Sequence, residues 1–259
     1  MRNIWIIAKK EYRHYFITPI AYIMAFVILT FLGFLFLAVE VDAAQNAFFG
    51  FGSAPDIRIL SSWFVILLMF GCPALTMRLL AEEAKTGTIE LLLTAPIRDI
   101  ELVVGKWLGS MLFILTIVAA TFVYPIILNG ISLGSLTILP TLVSPGIDWQ
   151  LTFSSYLGVV LVAASFLALG VGVSAMFNNQ IAAFFVSFLL CLGLYIFIGI
   201  PANLFPAGGE FFNYLSMGTH FNDAFNIGRV YLTDILYFVS LIALGLFTGT
   251  MAVESRRWN

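Results

Sequence analysis

The chain has 259 residues, 61% of them hydrophobic and only 10% charged, with 26 Phe. A soluble domain is roughly 45–50% apolar and about 25% charged, so this composition excludes a wholly soluble protein and makes lipid part of its solvent. The formal charge of −2 and the lack of a basic run exclude a phosphate-backbone partner, and no nucleic acid is expected.

The first residues, 1–18, place Ile4, Ile7, Ala8, Tyr12, Tyr15 and Phe16 at helical spacing, with Lys9, Lys10 and Arg13 mostly on the opposite face. This pattern predicts an amphipathic helix in the headgroup plane, anchored by Trp5 and the tyrosines. Pro19 then turns the chain into a span. About 20 apolar residues cross a ~30 Å hydrocarbon core, and six runs meet that length: 19–39, 59–80, 102–128, 156–177, 181–200 and 235–253. The third is long enough to begin along the interface. The first has basic residues before it, but its apolar stretch is longer than a signal-peptide core, so it reads as an uncleaved span. Residues 40–58, 129–155 and 201–234 read as loops at the opposite end. The last is half apolar (Phe205, Phe211, Phe212, Phe221, Phe225) and predicts a re-entrant or interfacial hairpin before the sixth span. The fold class is all-α and polytopic, and 1–259 reads as a single transmembrane domain.

Basic residues set the orientation. Arg2, Lys9, Lys10, Arg13, Arg78, Lys85, Arg98, Lys106, Arg256 and Arg257 fall on one side, and only Arg58 and Arg229 on the other. Cytoplasmic loops attract Lys and Arg, so both termini are expected inside a plasma membrane, the inner membrane of a bacterium, with an even number of spans.

No span carries an ionisable residue near its middle, where a charge costs roughly 2.5–3.5 kcal/mol on insertion scales. Proton- or sodium-coupled transport is therefore not expected. His14 and His220 lie on opposite sides, about 30 Å or more apart, and cannot share a site. Cys72 and Cys191 sit in apolar runs and read as packing residues. No catalytic, metal or cofactor residue is assigned, and the P-loop pattern G-x-x-x-x-G-K-[ST] is absent. Any ATP hydrolysis, with its ATP and magnesium, is expected on a partner. The pairs Gly105/Gly109 and Gly245/Gly249 have the spacing of close helix contacts, which arises often by chance and carries little weight here.

One polar segment interrupts this pattern, between the second and third spans. It holds Arg78, Glu82, Glu83, Lys85 and Glu90. The second span continues helically to about Ala84, Gly87 breaks it, and Thr88 caps a short helix with Glu90 near its positive end. Ile89, Leu91, Leu92 and Leu93 give that helix an apolar face, and Pro96 ends it. The segment reads either as a connector resting on headgroups or as an apolar ridge with a charged rim, suited to docking on a soluble partner.

Arg78-Leu-Leu-Ala-Glu-Glu-Ala-Lys-Thr-Gly-Thr-Ile-Glu-Leu-Leu-Leu-Thr-Ala-Pro-Ile97 resembles the intracellular loop of ABC-2 type permeases, the membrane subunits of ATP-binding-cassette exporters. The resemblance extends over the whole chain. His220-Phe221, Phe225, Gly228, Asp234, Tyr237-Phe238 and the terminal Glu254-Ser-Arg-Arg-Trp258 are similar to the gliding-motility permease subgroup. The resemblance implies two permease chains, identical or different, paired with two ATPase subunits. Residues 82–94 would be the coupling helix, with Glu82, Glu83 and Glu90 facing the ATPase and Gly87-Thr88 forming the bend. ATPase closure would tilt spans one, two and five and open a path alternately to each side. The subgroup further implies a partner with a large periplasmic domain. The uncharged, Phe-rich spans suit a lipid-linked or amphipathic cargo. The alternative is a membrane scaffold whose ATPase moves an envelope partner and passes no cargo.

Overall fold

The computed structural model describes residues 2–48, 57–87, 97–132, 148–201 and 209–257. Among these the regular structure is helical throughout: α1 (Arg2–Tyr15), α2 (Pro19–Phe48), α3 (Ile57–Thr76), α4 (Ala81–Thr86), α5 (Asp99–Thr121), α6 (Val123–Ser132), α7 (Trp149–Met176), α8 (Gln180–Tyr195), α9 (Gly209–Leu215), α10 (Met217–Asn222) and α11 (Leu232–Arg257), with short 3-10 turns at Phe197–Gly199 and Phe225–Ile227. Six helical segments, Ala21–Val39, Ile57–Thr86, Asp99–Ile127, Trp149–Met176, Gln180–Gly199 and Leu232–Arg256, are long and apolar enough to cross a membrane. The protein is a polytopic membrane protein, with six spans among the described residues.

The helices overshoot the expected spans because charge ends an apolar run without ending a helix. α2 continues past Glu40 and Asp42 to Phe48, into residues read as a loop from the sequence. α7 starts at Trp149, well before Tyr156, because Asp148 caps it by accepting the N–H of Gln150 (2.9 Å) and Leu151 (3.2 Å). The third span, expected to be continuous, breaks at Phe122 between α5 and α6. Pro125 has no N–H to give the carbonyl of Thr121, four residues back. The Tyr156 hydroxyl donates to that carbonyl instead, at 2.9 Å.

α7 is the axis of the bundle. In its apolar window 83% of the residues are buried, against 11% in the first span, 17% in the fifth and 22% in the sixth. Small residues allow this. Gly172 lies under the carbonyl of Gly245, and a Cβ on Gly245 would come within 2.6 Å of Ala168, so α7 and α11 meet backbone to backbone. α1 runs along the first half of α5 in the same direction. Asn3 Nδ2 donates to Glu101 Oε2 (3.1 Å), Tyr12 shares a hydroxyl contact with Thr116 (3.1 Å), and Tyr15 stacks on Phe113 with centroids 5.1 Å apart. A Cβ on Gly105 would meet Ile7 at 2.8 Å, and one on Gly109 would meet Glu11 at 2.6 Å. Both glycine pairs, given little weight in the sequence, thus lie at close helix contacts. The two chain ends share one end of the bundle. α1 lies along the start of α5, and Arg256 Nε donates to Ala175 O (3.0 Å) at the end of α7.

Candidate functional site

The end of the bundle that carries both termini also carries the interrupting polar segment. α3 gives way at Met77–Leu80 to the short helix α4. No side chain of its own caps α4 at Leu80. Ser174, near the end of α7, does so: its Oγ accepts the N–H of Leu80 (3.2 Å) and of Ala81 (3.1 Å). Glu82 and Glu83 occupy the first turn and Lys85 the last, each placed favourably for the helix dipole. Gly87 ends the helix with φ 74° and its N–H on Ala84 O (3.4 Å). Only glycine adopts this left-handed conformation without a steric penalty. The break expected at Gly87 is therefore where the helix stops. Thr88, Glu90, Leu91, Leu92 and Pro96, the rest of the expected docking ridge, lie outside the described residues.

Behind α4 sits a buried cation. Lys106 projects from α5, is 2% exposed, and donates through Nζ to Glu83 Oε1 (2.7 Å) and Glu11 Oε1 (2.9 Å). One ammonium thus ties α1, α4 and α5 together. Counting charges along the sequence gave Lys106 only a side of the membrane. Its partners are 95 and 23 residues away, and no local spacing announces them. The same geometry turns Glu83 towards the protein, where the sequence reading has it facing an ATPase. Glu82 is half-buried, and Lys85 is exposed.

Beside this triad lies a cavity of about 290 Å³ between α1, the end of α3, α4 and α5. Lys10, His14, Arg78 and Glu82 are at its polar wall, and Leu75 and Leu79 at its apolar one. Arg78 Nε is buried without a hydrogen-bond partner among the described residues. Tyr15 closes one side. Burial pushes its phenol pKa well up, with the nearby Glu11 adding to the shift, so it is a neutral wall.

At the opposite end the structure brings together the residues singled out before the sixth span. His220 Nδ1 lies 2.7 Å from Asp234 Oδ1, its Nε2 lies 2.8 Å from Tyr214 O, and its ring stacks on Tyr237 with centroids 4.1 Å apart. Phe221 and Phe225 are fully buried, Phe225 against Phe238 and over Gly158 of α7. Gly228, φ 87°, closes the 3-10 turn. Asn226 was missed by the sequence reading. Its Oδ1 accepts from Ser61 (2.6 Å) and its Nδ2 donates to Ser62 (3.0 Å), which pins the turn to α3. With both ring nitrogens engaged, His220 ties α10 to α11. No group of three metal-ligating side chains occurs among the described residues.

The two ends together describe a membrane bundle with a short polar helix at one face and the packed short helices α9 and α10 at the other. A family model described as "ABC-2 family transporter protein" matches residues 5–241. The chain belongs to the ABC-2 transporter family. A search of the curated proteins finds no matching sequence. As an ABC-2 family member the chain is a membrane permease component, and the family implies work with an ATP-binding-cassette ATPase.

Proposed function

We propose that this ABC-2 permease receives the stroke of a separate ATPase through residues 82–94, with α4 as the first part of the coupling element and Gly87 as its bend. The observation that carries this reading is the anchorage of α4. Ser174 ties its first turn to α7, and Lys106 ties Glu83 to α5 and α1. A push on the short helix therefore reaches the axis of the bundle and the N-terminal helix at once. α1 serves as the interfacial helix, supported by its exposed Trp5 and Ile6 beside Lys9 and Lys10. The basic end faces the cytoplasm, both termini included, on the Lys/Arg bias. The outward faces of spans one and five, which are little buried, meet lipid and a second permease chain across the dimer. The 201–234 hairpin is re-entrant at the outer face. The packed set His220, Phe221, Phe225, Gly228 and Asp234 supports a place in the gliding-motility-like subgroup and, with it, a partner with a large periplasmic domain.

The test is co-purification of the full chain with its P-loop ATPase. Glu83→Lys is a poor probe, because it would place two cations side by side in the buried triad. Lys85→Glu, at an exposed position outside the cavity wall, alters the outer rim alone and should weaken ATPase capture about tenfold, the worth of one charge-assisted hydrogen bond. Gly87→Val should weaken it comparably by displacing the chain that follows. Full capture by both variants would exclude this segment as the docking element.

A further inference from the structure

We propose that the cavity between α1, α3 and α4 is a binding site for the phosphate-bearing headgroup of a membrane phospholipid. Within the cavity wall the charges separate into two groups. Glu11 and Glu83 are held by Lys106 at 2.9 and 2.7 Å. That leaves Lys10 and Arg78 as cations, His14 as a ring donor, and Glu82 as the carboxylate facing them. Arg78 Nε is buried and meets no acceptor among the described residues. A guanidinium is a planar fork of donors that matches phosphate oxygens two at a time, and a buried N–H of this kind is stable only when an acceptor reaches it. Glu82 gives the same cavity a place for the ammonium of a zwitterionic headgroup.

Position and shape favour a lipid over a soluble phosphate. Leu75, in the last turn of α3, and Leu79, in the break before α4, give the cavity an apolar wall in the second half of the second span, so the site lies towards that span's polar end. The outer side of α1 exposes Trp5 and Ile6 together with the basic Lys9 and Arg13, and the turn after it exposes Ile17, a mixture suited to the level where headgroups meet acyl chains. The volume, about 290 Å³, far exceeds the ~30 Å³ of a single water. The site is independent of the ATPase reading, since it needs only the permease in a bilayer.

The test is native mass spectrometry of the full chain in detergent, titrated with phosphatidylethanolamine, with diacylglycerol and with inorganic phosphate. One phosphatidylethanolamine should stay bound per site, while diacylglycerol does not. Arg78→Gln and Lys10→Gln should each weaken retention about tenfold, as expected for the loss of one charge-assisted contact. Arg13→Gln, on the same helix as Lys10 but away from the cavity, should not. If Arg78→Gln fails to insert, the exposed Lys10 decides the matter alone. Equal binding of diacylglycerol, equal weakening by Arg13→Gln, or displacement of the lipid by inorganic phosphate would overturn the proposal.

Discussion

Lys106 is the residue on which three helices depend. Burying an ammonium is costly, and two carboxylates at hydrogen-bonding distance offset that cost only while all three groups are present. Lys106→Met leaves Glu11 and Glu83 facing each other without a counter-charge. Thermal unfolding of the purified chain should show a loss of roughly 3–5 kcal/mol, the range for breaking a buried pair by removing one partner. Adding Glu11→Gln and Glu83→Gln to the same variant should restore most of it. This part of the site was least legible in advance. Lys106 sits seven residues into a helix whose neighbours are apolar, and its charge indicated a side of the membrane but not a partner. The same holds for Ser174, one of many small polar residues in spans and distinguishable only once α4 lies against it. Gly87 was legible, because a left-handed cap needs glycine and the polar run before it marks a helix end.

At the scale of elements, the packing of α1 on α5 rests on two glycines. Gly109→Leu should push α1 outward, since even a single added carbon would lie 2.6 Å from Glu11 Cβ. The expected result is tryptic cleavage after Lys9 and Lys10, which a packed helix resists, while the rest of the chain stays intact. The six apolar stretches were readable because bilayer thickness sets a minimum length that soluble helices seldom satisfy. Helix ends were not. An apolar count stops at Glu40, yet nothing in Val41-Asp42-Ala43-Ala44-Gln45 breaks a helix, and α2 runs on to Phe48. Asp148 is an N-cap residue type and starts α7 seven residues before the apolar run that begins at Tyr156, so an apolar count places this helix end too late. The discounted glycine pairs show the converse error: spacing that is common by chance here marks real backbone approach.

Across the whole molecule, the arrangement of spans about α7 came from no single stretch of sequence. Its small residues, among them Gly158, Ala163, Gly170 and Gly172, are individually ordinary, and only their joint burial makes this helix central. The orientation proposed from basic residues is open to direct measurement. Cysteine placed at Lys9 should react with a membrane-impermeant thiol reagent only from the cytoplasmic side, and cysteine at Arg229 only from the outside. Both positions are exposed. The native thiols do not interfere, because Cys72 and Cys191 are buried. Five crossings separate the two positions, and labelling of both from the same side would contradict that odd number and with it the proposed topology.

The borrowed cap on α4 has a kinetic corollary. Two amide hydrogens, those of Leu80 and Ala81, are bound to a hydroxyl that belongs to a different crossing of the bilayer. While Ser174 holds them they exchange slowly with heavy water, and any rearrangement that parts the second crossing from the fourth releases both together. Deuterium uptake at these adjacent positions would therefore time the first separation of the two helices.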